Sequence, residues 1–546
     1  MQGFMDDFSD EEKKDLEPFV SNVESNVFVL RNLPEVIKGA LFSRYSRSSK
    51  SLRRLLLDEF LTVEDRQSFK SFGLAGEKKA QDFYDRILDG YGDDSVGELG
   101  GAHVACEFIS NVAAKFVEDA RIGGSPLEKS TRYVWFNNKV DGKYLYYREP
   151  KIMASKFADE YIELNELLFD TYSDLIPEMT AYVTERYPLD EFGFFDPVTK
   201  QEVKFQTIND EKLKKRAQVA YNASVKAKAC DILRGFLPAS TLTNVGVFGN
   251  GRFFQGLLTK MYSSDLSEIN TLARQMHTEL DTLIPSFVRR AKRDDYLVAS
   301  TFNVNNLARA KLKNKIPDSS YEVDLVSYDK EEIDILASIL YPSSTLSFVQ
   351  LRQIIKDMSF VEVRNLVESY IGNRKNRRNK PGRAFEHMYY TFDMLTDFGS
   401  YRDLQRHRIL TQQRQLLTVA HGYYTAPEIL DSGLRPRFDE CMAKAAQLFS
   451  KVEKEMPGEA QYVVPMAYRV RWYAKLNLRE AIHLVELRSS PQGHPTYRKV
   501  AQEMFKKIQK AHPFLASFMR FVDMNDYPLG RISSELRKEE KKERLG

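Results

Sequence analysis

The sequence predicts an α+β protein made of two tandem domains, each a small, mostly antiparallel sheet covered by helices. Three observations predict it. The chain has 546 residues, more than one hydrophobic core usually organises. A pattern recurs: around Pro238 the chain reads LPASTLTNVGVFGNGR, with Asn250 twelve and Arg252 fourteen residues after the proline, and around Pro465 it reads VPMAYRVRWYAKLNLR, with Asn477 and Arg479 at the same offsets. Segments such as NTLARQMHTELDTLIPSFVRRA and TYRKVAQEMFKKIQKAHPFLASF carry apolar residues at helical spacing, while strand-like runs are few and short.

The first 30 or so residues are polar and predict an arm or a short helix. The first repeat then runs from Glu98 through the strand-like alternation GGAHVACEF into SNVAAKFVEDARIGGSPLEKSTRY. The second runs from Glu386 through HMYYTFDML into DFGSYRDLQRHRILTQQRQLLT. Between them KLKNKIPDSSYEVDL is polar and lacks an apolar period, which puts the junction there and gives domains 1–315 and 316–546. The last stretch, RISSELRKEEKKERLG, is almost wholly charged and is expected to fray.

With 42% hydrophobic and 29% charged residues, the composition excludes disordered and fibrous classes. No stretch approaches 18 consecutive apolar residues and the acidic N-terminus lacks the order of a secretory signal, so a cytoplasmic protein without a membrane partner is expected. Cys106, Cys230 and Cys441 stand far apart, without the spacing of a zinc site or a disulfide framework, and no metal is expected. A net charge of +3 is too close to balance to imply nucleic acid from the global field. The densest basic run, NRKNRRNK at 373–380, has no interleaved aromatics for base stacking and reads as a solvated loop, which argues against nucleic acid.

The sharpest local motif is Arg406-His407-Arg408, expected to close a helix that follows a strand holding Phe385, Glu386 and His387. Two guanidiniums around an imidazole make a planar cationic donor set suited to a phosphate or an electron-rich ring. A solvated basic helix end is the plainer alternative. In the first repeat, SPLEKSTRY (Ser125 to Tyr133) read alone is a helix start with a Ser125–Glu128 capping box.

Together these fragments resemble the flavin-dependent thymidylate synthases (ThyX type), whose pattern is RHRxxSxNxxSxRY with a Glu-His pair twenty residues before the first Arg. Glu386 to Arg406 is that interval. The second repeat keeps the front of the pattern, but Thr411, Gln413, Leu416 and Thr418 replace its back. The first repeat keeps the back, Ser125, Glu128, Ser130, Thr131, Arg132 and Tyr133, while Glu118-Asp119 and a Gly123-Gly124 insertion replace its front. The family's distal Arg falls on Arg488 in the second repeat and on Met261 in the first; a further phosphate-binding Arg falls on Arg234 in the first and on Gln461 in the second. The retained residues are complementary, so the two repeats are expected to share one site.

The resemblance implies reductive methylation of dUMP to dTMP with FAD, and with NADPH and methylenetetrahydrofolate as co-substrates. It implies that Arg488 polarises the uracil as the catalytic residue, and that Gln405, Arg406, Glu128, Ser130, Thr131, Arg132 and Arg234 join it in holding dUMP. For FAD it implies Ser95, Glu128, Arg406, His407, Arg408, Asn477, Arg479 and His483. It also implies a homodimer standing in for the family's homotetramer. Asp403 departs from the family's Gln, with Gln405 as its nearby substitute; His483 departs from Asn, and Leu99 from His. Two other readings fit the same residues: a non-catalytic nucleotide-binding or assembly paralogue, and a flavin- and folate-dependent enzyme acting on another uracil substrate such as RNA.

Overall fold

The computed structural model describes residues 7–61, 97–120, 122–195, 201–319 and 322–545. Its contacts group the chain into two compact units, 1–129 with 243–314, and 130–242 with 315–546. The sequence junction near 315 is one of three crossings; the segment 130–242 of the first repeat belongs to the unit that holds the whole second repeat.

In the first unit, β1 (Gly101–Ser110), β2 (Gly124–Glu128) and β3 (Leu242–Asn250) form a sheet in the order β1-β3-β2. SPLE therefore forms a strand, not a helix start: it pairs antiparallel with β3, Gly124 facing Gly249 and Glu128 facing Val245. Pairing along a whole strand satisfies more backbone groups than one cap can. Each long strand turns directly into a helix at a polar cap. Ser110 Oγ accepts from Ala113 N at 3.0 Å to start Asn111–Asp119, and Asn250 Oδ1 accepts from Phe253 N at 2.8 Å to start Gly251–Tyr262. The core under the sheet includes Val245, Val247, Phe254, Leu257 and Met261.

The second unit holds β4 (Val323–Tyr328), β5 (Tyr389–Asp397), β6 (Leu410–Arg414) and β7 (Arg469–Asn477), antiparallel throughout in the order β6-β7-β5-β4. Val470, Trp472, Ala474 and Leu476 alternate inward along β7, the period expected of a sheet with one covered face. The caps repeat as well. Asp397 starts the helix Phe398–Leu404 by accepting from Ser400 N at 2.8 Å, and Asn477 starts Leu478–Arg488 by accepting from Glu480 N at 2.9 Å.

The strand registers agree between repeats. Gly124 and Leu410 each face the residue just before the capping Asn, Gly249 and Leu476, which sets Ser125 and Thr411 at equivalent positions. An ion pair is duplicated too: Arg252 with Glu98 at 2.8 Å, and Arg479 with Glu386 at 2.9 Å. Within the second unit the two repeat prolines, Pro238 and Pro465, form an antiparallel bridge. Ala239 N donates to Val464 O and Met466 N to Leu237 O, both at 2.9 Å, a reciprocal pair of bonds about a local two-fold axis.

Two further expectations are corrected. Phe385, Glu386 and His387 lie in a 3₁₀ turn, Arg383–His387, just before β5, because the Tyr370 hydroxyl takes the Ala384 amide hydrogen bond and Glu386 is drawn to Arg383 and Arg479. The charged C-terminal stretch forms a helix, Ile532–Leu545, packed on Glu211–Leu233, because Ile532 and Leu536 present one apolar turn to Phe194, Leu213 and Ala217.

The basic run 373–380 is anchored at its root. Arg374 is buried and makes a bidentate pair with buried Glu486, at 2.9 and 2.6 Å, and a bond to Phe518 O at 3.1 Å. Removing the guanidinium leaves an unpaired carboxylate in the core, so Arg374→Ala should lower the unfolding free energy in urea by roughly 3–5 kcal/mol. A loss under about 1 kcal/mol, the range of surface pairs, would show that the pair is not buried in solution.

Candidate functional site

All but two of the predicted site residues fall in the second unit. β2 ends at Glu128, and the chain passes through Ser130 and Thr131 to Arg132, whose amide bonds to Ser130 Oγ at 3.2 Å, a short local turn that fixes where the guanidinium starts. Arg132 is buried. Its Nε and Nη2 donate to the Asp231 carboxylate at 2.7 and 2.6 Å, and Nη1 donates to the Tyr497 hydroxyl at 3.1 Å. Arg234, in the 3₁₀ turn that leads to Pro238, donates from Nη1 to Asp403 at 3.0 Å. Its Nη2 has no hydrogen-bond partner among the described residues and sits 3.8 Å from Asp397. A side chain at Gly399 would put a Cβ 2.8 Å from the Arg234 Nε, so glycine there lets the helix Phe398–Leu404 lie against the guanidinium without pushing it aside.

From the second repeat, Arg488 closes the helix that Asn477 starts, and its Nε donates to His407 Nε2 at 2.9 Å. His407 is buried, with Nδ1 2.7 Å from Glu480, so the imidazole is held between a carboxylate on one nitrogen and a guanidinium on the other. Accepting at Nε2 puts the proton on Nδ1, where it donates to Glu480. Arg406 and Arg408, on either side, are exposed. The face of Tyr497 gathers the two repeats: the Arg132 guanidinium lies 5.6 Å from its ring centre and that of Arg488 5.7 Å.

The electrostatics follow from this crowding. Burial alone would raise the pKa of Asp403, but Arg234, Arg132, Arg406 and Arg488 outweigh it and hold the carboxyl well below its usual range. Asp231 behaves likewise: burial is overcome by Arg132 first, then by His494 and Arg234, and it is held at about 2. Burial pulls the Arg488 pKa down, with Arg406 adding to it, against the pull of Tyr497 and Asp403. Arg132 pairs with Asp231 and Arg234 with Asp403 and, at 3.8 Å, with Asp397, while Arg406 and Arg488 add to the positive field at Asp403. Guanidiniums gathered in this way are suited to charge-assisted hydrogen bonds to a phosphate monoester.

His407, Glu480 and His483 bring one ligand atom each within 4.8 Å of one another, the spacing of a metal group. The surroundings oppose a divalent cation. Burial lowers the His483 pKa to about 4, which leaves its imidazole neutral, but Lys380 and Arg377 bring positive charge toward it. Burial raises that of Glu480, against the pull of Lys380, Arg479 and Arg488. Arg488 already occupies the lone pair of His407 Nε2.

Other predicted residues have different places. Glu128 lies in the first unit, buried, accepting from Lys115 Nζ at 2.7 Å; Lys115 also pairs with Glu118, which stands in the Arg-His region of that repeat. Asn477 caps its helix, and Arg479 is engaged by Glu386 and by Pro381 O at 2.8 Å. Gln405 is buried, its backbone carbonyl accepting from Gln412 at 3.1 Å. Thr131 meets Arg402 at 3.4 Å. Ser95 lies outside the described residues. Asp231, Tyr497, His494 and Arg402 were missed; only GHPTYR, a polar loop opening a helix soon after Arg488, hinted at Tyr497 and His494.

The profile of the thymidylate synthase complementing protein family matches residues 46–286 and again 324–514, one match for each repeat. The chain belongs to this family. It is 45% identical to a UPF0159 protein of Chlamydia muridarum (strain MoPn / Nigg), over 97% of this chain and 98% of that one. It is 44% identical to one of Chlamydia pneumoniae, over 99% of both chains, and 39% identical to one of Thermoplasma acidophilum, over 92% of this chain and 98% of that one. Two tandem ThyX-like α+β domains are thus the architecture of the chain, and no helix among the described residues is long and apolar enough to cross a membrane.

Asp403 fills, with its own negative charge, part of the field that an anionic ligand would use. Asp403→Asn keeps the shape and removes the charge, and should tighten binding of inorganic phosphate by about tenfold or more in low salt, measured by calorimetry. Unchanged or weaker binding would mean that the carboxylate does not compete with anions.

Proposed function

We propose that the chain is a flavin-dependent thymidylate synthase, converting dUMP to dTMP with methylenetetrahydrofolate, FAD and NADPH at one site per chain drawn from both repeats. The observation that carries this reading is the meeting of Arg132 and Arg488 on Tyr497. These are residues that the two repeats retain singly, Met261 standing in place of Arg488 and Thr418 in place of Arg132.

In this reading the 5′-phosphate is held by Arg234, whose Nη2 has a donor to spare, and by the Nη1 edge of Arg132, whose other edge stays on Asp231. Arg488 faces the uracil. Its guanidinium, fixed by His407, stabilises negative charge on the pyrimidine carbonyl as C5 becomes nucleophilic, a preorganised contribution on the order of 2–4 kcal/mol. Glu480 keeps His407 in the tautomer that accepts from Arg488, so it positions the arginine without touching substrate. FAD, when bound, supplies the reducing equivalents that complete the methyl group. The residues fit a flavin: Arg406 and Arg408 are exposed residues beside buried His407, and His483 is held neutral next to it. No thiol nucleophile is needed, and burial pushes Cys106 up to about 11 and Cys230 up to about 12, which keeps both protonated. Two chains would supply the four domains of the family's assembly.

One observation favours a second reading. The internal counter-ion Asp403, standing where the family has Gln, suits a non-catalytic paralogue that binds nucleotide weakly. A protein that is colourless as purified and takes up no FAD on titration would select it.

Tritium release from dUMP labelled at C5, with FAD, NADPH and methylenetetrahydrofolate supplied, tests the enzyme reading; release above a no-folate control is expected. Arg132→Ala and Arg488→Ala should each weaken dUMP binding by about 10- to 100-fold. The volume-conserving Met261→Leu at the position equivalent to Arg488 should leave it unchanged. Unaltered dUMP affinity in Arg132→Ala would refute a site shared between repeats.

A further inference from the structure

The second unit contains a cleft of about 880 Å³ whose lining includes Arg377, Arg378, Arg537, Lys538, Lys541 and Lys542, and no carboxylate. Its floor is Ser490–Gln492, the loop that follows Arg488 directly. Two features separate it from an ordinary solvated basic surface. The first is rigidity. The loop carrying Arg377 and Arg378 is rooted by the buried Arg374–Glu486 pair, and the Asn379 side chain accepts from the amides of Lys375 and Asn376 at 3.0 and 3.2 Å. The second is connection to the arginine site. Gln492 O accepts from Arg132 and from Arg531, both at 3.4 Å, so the loop flooring the cleft also backs the arginine cluster.

On the helix wall, Lys538 and Lys542 pair with Glu535 and Glu539 on their own helix at 3.0 and 2.6 Å, and Arg537 reaches Ser534 at 3.4 Å. The Lys538 and Lys542 side chains are themselves more than half exposed, so these pairs are screened by solvent and yield to a multiply charged ligand. Pro491 is the one apolar side chain in the lining and no aromatic ring is present, so the cleft offers nothing on which a base could stack. That excludes a nucleotide recognised through its ring and leaves an oligoanionic chain. A nucleic-acid strand threading from the uracil site fits poorly, because Arg132 and Arg234 are buried, at 7% and 3% exposure, and do not line an open groove.

We propose that this cleft takes the oligo-γ-glutamyl tail of the folate co-substrate, a flexible polycarboxylate that leaves the reaction site and runs along the cationic wall. The inference rests on the thymidylate synthase reading for the identity of the head group, and on the cleft alone for the charge and form of the tail.

The test compares folic acid monoglutamate with its γ-linked pentaglutamate on the full-length protein by calorimetry at two salt concentrations. The pentaglutamate should bind at least tenfold more tightly at low salt and lose most of that advantage at high salt. The double reversal Arg537→Glu with Lys541→Glu, its fold checked by circular dichroism and thermal midpoint, should erase the difference. Equal affinities in the unaltered protein, or a difference that survives the reversal, would overturn the proposal. So would an oligouridylate that binds more tightly than the pentaglutamate and displaces it, which would assign the cleft to RNA. A free γ-pentaglutamate peptide separates the two layers: if it binds, and the reversal abolishes that binding, while neither dUMP nor folate monoglutamate binds, the polycarboxylate cleft stands and the thymidylate synthase reading falls.

Discussion

Arginines brought into one buried space repel each other, and each also loses its hydration, so a cluster such as Arg132, Arg234, Arg402 and Arg488 cannot persist without counter-charges. Asp231 and Asp403 supply them, each held ionised against its own burial by the guanidiniums around it. Tyr497 adds a surface that both Arg132 and Arg488 approach, which costs no further charge. Most of the second unit's placement of functional groups follows from this network. The turn at Arg234 is tied to Asp403 and the loop at Arg132 to Asp231, while Arg488 is tied to the His407–Glu480 pair.

The first repeat shows what becomes of the equivalent positions when they no longer serve a site. Met261, opposite Arg488 in the repeat, is fully buried in an apolar core, and Phe253, opposite Glu480, packs in the same cluster. Glu118, in the region of the lost Arg-His pair, neutralises buried Lys115 together with Glu128. Decay in this copy is therefore repacking: charges that would have faced a ligand are replaced by side chains that satisfy a core. Elements with partners inside each repeat survive in both, namely the capping Asn250 and Asn477 and the ion pairs Glu98–Arg252 and Glu386–Arg479.

Much of this was legible in the sequence because repeats and motifs preserve spacing. The offsets of Asn and Arg from the two prolines located equivalent strand-to-helix junctions, and strand register sets Ser125 opposite Thr411 as the motif comparison had it. What the spacing could not tell was whether a retained residue serves the fold or the ligand. Asn477 and Arg479 have partners within their own repeat that their counterparts share, whereas Arg132, Arg234 and Arg488, each retained once, converge. Asp231 and Tyr497 escaped because they lie far from the motifs along the chain and are defined only by what they neutralise or stack on. The segment 130–242 was read with its own repeat; its packing with the second repeat, which includes the reciprocal bridge at Pro238 and Pro465, is announced by no local pattern.

The central claim is that two repeats build one nucleotide site. Calorimetric titration of the full-length protein with dUMP, in the presence of FAD, measures it as a stoichiometry. The account predicts one dUMP bound per chain. Two per chain, one for each repeat, would contradict it, and so would none at concentrations that saturate a phosphate site.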